Sequence, residues 1–236
     1  MGRGQRRAAL TMPSSPYAWL AAPAAEVAAV AQSLLGWQVL ANGVAVRLTE
    51  VEAYAGVGED PASHAHRGRT RRNAVMFGPA GFAYVYFVFG MHWCVNVTVG
   101  AEGEAAAVLL RAGEVVTGLP LARTRRGTVP RGTVSRGAVG AGDAELARGP
   151  ARLAVVLGVD GAASGTSMVG GGPILLVPPT TPVDPVRLAS GPRVGVAGGA
   201  DTPYRFWIEG EASVSVYRRH VHRRLSGVAD TADRAI

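Results

Sequence analysis

Residues 37–54 read Trp37-Gln38-Val39-Leu40-Ala41-Asn42-Gly43-Val44-Ala45-Val46-Arg47-Leu48-Thr49-Glu50-Val51-Glu52-Ala53-Tyr54, and they carry the strongest local signal in the chain. Two β-rich runs, 37–40 and 44–48 with Val51 beyond, are split by Asn42-Gly43, the dipeptide that best tolerates two successive positive φ angles and so a tight hairpin turn. The chain therefore enters a sheet here. Upstream, Pro23 suits a first helical turn, Val27, Val30, Leu34 and Leu35 recur at helical spacing, and Gly36 suits the residue just past a helix end, which predicts one amphipathic helix. Downstream, residues 55–81 are rich in Gly, Pro, His and Arg and too long for an ordinary connection, which marks a functional loop or disorder. Tyr84-Val85-Tyr86-Phe87-Val88-Phe89 is a dense aromatic strand that stops at Gly90, and 94–99 and 106–110 are further strands. A helix is expected over 146–157, after the Gly-Pro at 149 and 150. A short strand is expected at 174–177, and 194–196, 204–208 and 214–216 are expected to close the sheet. With no repeat and no linker, the pattern suits a single mixed α+β domain over 16–224, with a disordered basic arm at 1–15 and a frayed tail at 225–236.

The 236 residues are enough to bury a core, and 48% of them are hydrophobic. Gly and Pro stay below the share that marks low-complexity chains. The Ala-rich stretch at 18–35 contains Pro23, Glu26 and Gln32, so it does not read as a membrane span. Pro13, Pro16 and Pro23 likewise interrupt any secretory apolar core. The single Cys, Cys94, rules out an internal disulfide, and the expected compartment is reducing and cytoplasmic. The formal charge of +7 and the pI near 10.4 favour a polyanionic partner, with nucleic acid leading. All 24 basic residues are Arg. Without a lysine amine there is no side-chain Schiff base, which excludes lysine-dependent lyases, aldolases and pyridoxal enzymes.

Several groupings are candidates for chemistry. Glu50 and Glu52, two apart in a strand, share one face, as a general acid/base pair or as a solvated edge. The loop that follows holds His64, His66, Arg67, Arg69, Arg71 and Arg72, and residues 61–101 contain no acid, which suits a phosphate backbone or simply a soluble loop. The His-x-His pairs at 64/66 and 220/222 lack the partners of a tetrahedral site, so no metal is expected. Tyr84 and Tyr86 should share one face of their strand and Phe87 and Phe89 the other, one as core and the other free to stack on a base or wedge into a duplex. Phe89, immediately before Gly90, is expected at an exposed hairpin tip.

Val51-Glu52-Ala53-Tyr54, Asp60-Pro61-Ala62-Ser63-His64-Ala65, Met76-Phe77-Gly78-Pro79, Tyr84-Val85-Tyr86, Phe89-Gly90-Met91-His92-Trp93-Cys94-Val95-Asn96 and Val108-Leu109-Leu110-Arg111-Ala112 follow one another in the order and spacing of a known family. The series continues through Gly149-Pro150 with Leu153, Arg193-Val194-Gly195-Val196 and Arg205-Phe206-Trp207, covering residues 22–218. The chain resembles the 3-methyladenine DNA glycosylases of the alkyladenine type. The resemblance implies a curved antiparallel sheet flanked by helices, with a protruding β-hairpin wedge. It also implies a monomeric hydrolase, without metal or cofactor, that flips damaged purines out of double-stranded DNA. By the same resemblance, Glu52 would activate the attacking water, with Arg111 and the Val194 carbonyl helping to hold it. Tyr86 would stack on one face of the base, with Tyr54 and His64 on the other, and Asn96 would reject guanine. Phe89 would intercalate where the family usually has tyrosine, while Arg69, Arg71 and Arg72 suit the DNA backbone. A non-catalytic duplex-binding protein, or an enzyme acting on nucleotide or RNA, would also use the basic and aromatic groups; the former leaves Glu52 without a task.

Overall fold

The Asn42-Gly43 signal is realised: both residues have positive φ, 48° and 78°, and they join β1 (Gln38–Ala41) to β2 (Val44–Tyr54) in antiparallel register. The structure, a computed structural model, describes residues 15–127 and 142–220. Nearly all of the expected basic arm and the expected frayed tail lie outside the described residues. Before β1, a 3₁₀ turn at Ala24–Glu26 leads into α1 (Val27–Ser33), which buries Val27, Val30 and Ala31.

The other strands are β3 (Ala83–Val88), β4 (His92–Val99), β5 (Ala106–Thr117), β6 (Ile174–Val177), β7 (Leu188–Gly191) and β8 (Arg205–Ile208). They form one antiparallel sheet in the order β3-β4-β5-β2-β1-β6, with β8 bridging β2 and β7. Strand β2 is central. β5 pairs with it along its length, while β1 takes its first half and β8 its second. Two further helices, α2 (Leu119–Gly127) and α3 (Pro150–Leu157), pack on each other, and α3 lies on β4 and β5 while α1 lies on β2.

The register of β2 against β5 decides where the site falls. Leu48 pairs with Gly113 and Glu50 with Ala112, which leaves Thr49 as an extra residue; Val51 then pairs with Leu110, which leaves Arg111 as an extra residue on the other strand. Each inserted residue is a bulge, and bulges bend strands and re-aim side chains. Before Thr49 the core face of β2 is Val44, Val46 and Leu48; after it the core face is Val51 and Ala53. A one-residue slip turns a strand over. Without it, Glu50 and Glu52 would point into the apolar core. With it, they join Arg111 on the opposite face, where Tyr84, Tyr86 and Asn96 also lie, while Ala83, Val85, Val95 and Val97 remain in the core. Gly113 is needed at this crossing, because a Cβ there would sit 2.3 Å from the Arg47 carbonyl oxygen.

Three expectations need correction. Residues 194–196 and 214–216 are not strands. Their backbone donors go elsewhere: Val194 N–H to Glu52, Gly195 N–H to the Arg218 carbonyl and Ser215 N–H to Glu50. A donor given to a side chain is lost to a ladder. The helix expected in 146–157 starts only at Pro150, since Gly149 has φ of 110°. Strand β7 has no counterpart among the expected strands; it forms by pairing with β8.

Candidate active site

The loop at 55–81 is held from inside by two buried polar residues. Asp60 accepts the amides of Ala55 and Ala62 and a bidentate pair from Arg193 at 2.5 and 2.7 Å. Asn73 donates to the carbonyls of His64 and Gly68 and accepts from Thr70 N–H. Arg193 also donates to the Ala53 carbonyl, and its guanidinium stands 4.8 Å from the Tyr54 ring centroid and 5.4 Å from that of Tyr204. The loop is thereby fastened to the end of β2, and Tyr54 is braced from behind.

Between this loop and the sheet lies a cavity of about 140 Å³ walled by Tyr54, Ala62, His64, Met76, Tyr84, Tyr86, Asn96, Ala107 and Val196, close to the ~150 Å³ of an engineered cavity that admits benzene. Asn96 is buried, and its amide donates to the Tyr84 carbonyl at 2.9 Å. His64 Nδ1 and the Tyr84 hydroxyl are 2.9 Å apart. Burial and the Arg72 guanidinium push the His64 imidazole down to about 4, so it faces the cavity as a neutral ring at pH 7. His64 and Tyr86 meet edge to face with centroids 4.6 Å apart. Because each stacking contact spans ~4.5–7 Å, the two rings must part for a base to lie between them.

An open cleft adjoins the cavity, and Tyr54, Tyr86 and Val196 belong to the walls of both. Glu52 and Arg111 lie in it, with Phe89 and His92 along one side and Arg218 and Arg219 along another. Glu52 is fully buried. Its Oε1 accepts Val194 N–H at 2.8 Å; its Oε2 accepts the Tyr54 hydroxyl at 2.9 Å and Arg111 Nη1 at 3.4 Å. A carboxylate has about four acceptor positions, and these three donors leave one on Oε1 without a donor. Burial and the Glu52 charge hold the Tyr54 phenol well above its ordinary range, which keeps it a donor. Burial opposes the Arg111 charge, but Glu52 and Glu50 outweigh it and hold the guanidinium above its usual range. Cys94, also in the cleft, has its thiol pushed up to about 11 by burial and is a poor nucleophile.

At the β3–β4 hairpin, Val88 pairs with His92, and Met91 N–H bonds the Val88 carbonyl across Phe89 and Gly90, with φ of 53° and 65°. Phe89 is 85% exposed, as expected of a tip residue. One part of that expectation fails. Phe87 packs on Trp93 at 4.7 Å, while Phe89 lines the cleft with Tyr86, because the left-handed turn ends the alternation of faces. Arg69, Arg71 and Arg72 are all exposed, and Arg72 also lies over the Tyr86 ring at 5.2 Å, beside the cavity that ring walls.

The structure thus gathers Glu52, Arg111, Val194, Tyr54, His64, Tyr86, Asn96 and Phe89 around one cavity and its cleft. The backbone of Val194 reaches Glu52 through its amide. The roles of Arg205 and Ser215 on Glu50, and of Arg193 on Asp60, had no local signal, since each pair lies more than 100 positions apart. Among the described residues, no group of His, Cys, Asp or Glu could hold a metal ion, and no helix is long and apolar enough to cross a membrane.

A carboxylate with one open acceptor position, beside a pocket for a single planar ring, suits hydrolysis at a base, and comparison with known proteins agrees. A family model described as methylpurine-DNA glycosylase matches residues 21–212. A protein of Streptomyces avermitilis is 52% identical over 184 residues, covering 77% of this chain and 80% of its own length. Relatives in Nocardia farcinica (49%, 80% and 86% covered) and Frankia casuarinae (50%, 80% and 87%) are similar, and all three bear the name "Putative 3-methyladenine DNA glycosylase". The chain is therefore of the DNA glycosylase class, hydrolases of base excision repair. Within that class it belongs to the methylpurine-DNA glycosylase family.

Proposed function

We propose that this protein is a monofunctional glycosylase that takes an alkylated or deaminated purine of duplex DNA into the Tyr86 cavity and hydrolyses its N-glycosidic bond, with Glu52 as general base. One observation carries the reading: Glu52, with an acceptor position to spare, stands where the aromatic cavity opens into a cleft that ends at an exposed phenylalanine. A base in the cavity puts its sugar at the junction. As the bond to the base breaks, the sugar gains oxocarbenium character; Glu52 stabilises that charge and takes the proton of the attacking water. Arg111 and the Val194 backbone flank the same point.

Selectivity follows from the walls. A purine alkylated at N3 or N7 is cationic, and electron-rich rings favour a cation by ~0.5–2 kcal/mol per good contact. The neutral His64 adds a plate without a repelling charge. Asn96, pinned by its bond to Tyr84, is placed to exclude a purine 2-amino group. Extruding the base costs least where pairing is already weak, and Phe89 fills the gap it leaves. Arg69, Arg71, Arg218 and Arg219 offer sequence-independent phosphate contacts. With no lysine in the chain, excision should leave the abasic strand uncut.

The test is release of 3-methyladenine, 7-methylguanine or hypoxanthine from lesion-bearing duplex by the purified protein, with strand integrity and borohydride trapping followed in parallel. Binding without release of any base overturns the enzymatic reading in favour of a duplex-binding protein. Strand nicking with a trapped adduct overturns the monofunctional part alone.

A further inference from the structure

Glu50 is as deeply buried as Glu52 and lies on the same face, yet it is absent from the cleft wall. Three donors converge on one of its oxygens and a fourth meets the other. Oε1 takes Arg205 Nε at 2.6 Å, Arg111 Nε at 2.8 Å and the Ser215 hydroxyl at 2.8 Å, and Oε2 takes Ser215 N–H at 2.7 Å. Arg205 Nη2 closes the ring on the Ser215 carbonyl at 2.7 Å. Outside the cleft wall and covered by these donors, Glu50 does not meet water or substrate held in the cleft, which excludes it from direct chemistry.

Its partner Arg111 makes unequal contacts, 2.8 Å to Glu50 and 3.4 Å to Glu52. Two carboxylates and two guanidiniums balance in charge, and the short contact falls on the carboxylate outside the cleft. Released from Glu50, Arg111 could close on Glu52 as a bidentate pair and take its remaining acceptor position. We propose that Glu50 is a positioning residue for this site: it holds Arg111 back and shares its charge, so that Glu52 keeps a lone pair for water. The bulge at Arg111 allows one side chain to reach both carboxylates. This inference rests on the reading of Glu52 as general base.

Among the described residues, the groups that face Glu52 are Arg111 on β5, Tyr54 on β2, Tyr86 on β3, Cys94 on β4 and Arg193 before β8, with His92, Arg218, Arg219 and His220 lining the same cleft. Of these, Arg111 also bonds Glu50. The experiment is the pH profile of single-turnover excision on lesion duplex, with duplex affinity measured alongside. In Glu50→Gln, Arg111 and Arg205 leave a surplus positive charge beside Glu52; the acid limb should move ~1–3 pH units lower, with the plateau rate down about tenfold and affinity unchanged. Glu50→Gln combined with Arg205→Gln restores the balance and should return the limb toward that of the unmodified protein. Should Glu50→Gln not fold, Arg205→Gln alone gives the opposite sign, a limb moved to higher pH. A limb that stays in place in the variants that fold, or a lower rate traced only to a smaller active fraction, overturns the proposal. Glu52→Gln, run beside them, separates the two readings: excision that survives it removes Glu52 as base, whereas excision lost there with an unmoved limb in Glu50→Gln removes only Glu50.

Discussion

The β2–β5 floor and the β3–β4 tip depart from ordinary burial in opposite directions. At the floor, Glu50, Glu52, Arg111 and Arg205 are charged and buried; at the tip, Phe89 is apolar and exposed, in a backbone conformation that a bulky residue rarely adopts. Buried charge is costly unless neutralised and hydrogen-bonded, and the floor meets both conditions through bulges that bring four charges into one network. Exposed apolar surface costs little by itself, so the tip needs no compensating network, only a turn to present it. The floor therefore depends on contacts from across the whole chain, while the tip is a local feature. Damage to the first should disturb chemistry, and the fold as well where a buried charge loses its partner. Damage to the second should disturb only the handling of DNA.

The comparison can be broken most directly at Glu52. Glu52→Gln keeps the shape but cannot take a proton from water, so excision should fall by ~10²–10⁴-fold with duplex binding retained; single-turnover release of the base measures it, and near-normal excision removes the residue from the mechanism. Next comes the clamp behind the floor. Asp60→Asn leaves Arg193 buried without its charge partner, which should cost ~3–5 kcal/mol of stability, read as a lower urea midpoint. A midpoint shift within error would mean that the loop is fastened by other contacts.

Phe89→Ala should leave stability within ~0.5 kcal/mol while slowing excision of a paired lesion by about 10–100-fold, with little effect on a single-stranded one. Equal losses on both substrates, or a large loss of stability, would merge the two regions and end the wedge assignment. For backbone contacts, Arg69→Glu with Arg71→Glu should flatten the log–log salt dependence of binding by about 0.9 for each phosphate that is no longer neutralised. The smallest effect sharpens the picture of strain. Asn tolerates left-handed backbone better than Phe, so Phe89→Asn should raise thermal stability by up to about 1 kcal/mol. Destabilisation instead would show that the Phe89 ring packs on the protein.

Much of this was legible in the sequence. Asn42-Gly43 signals its turn through the backbone preferences of two residues, and the helix before it shows in the spacing of Val27, Val30 and Leu34. Glu50 and Glu52 sharing a face, and Phe89 at a tip beside Gly90, follow from strand alternation and glycine's freedom, both local properties. The order of short motifs from Val51 to Trp207 was sufficient to indicate the family. Where local rules misled, long-range hydrogen bonding prevailed. The valine-rich segments around Val194 and Val214 have the composition of strands, but their backbone donors serve Glu52 and Glu50.

What the chain alone determines, then, is its inventory: a hairpin entry into a sheet, an aromatic run that ends in a glycine turn, a polycationic surface without lysine, and a carboxylate among apolar neighbours. Tertiary structure decides which face that carboxylate takes. Strict alternation would have placed Glu52 with Val44, Val46 and Leu48 in the core; the extra residue at Thr49 turns it to the cleft, and the extra residue at Arg111 restores the register behind it. Alternation is a property of one strand, whereas a bulge is defined only by two strands together, so no single segment of sequence records it.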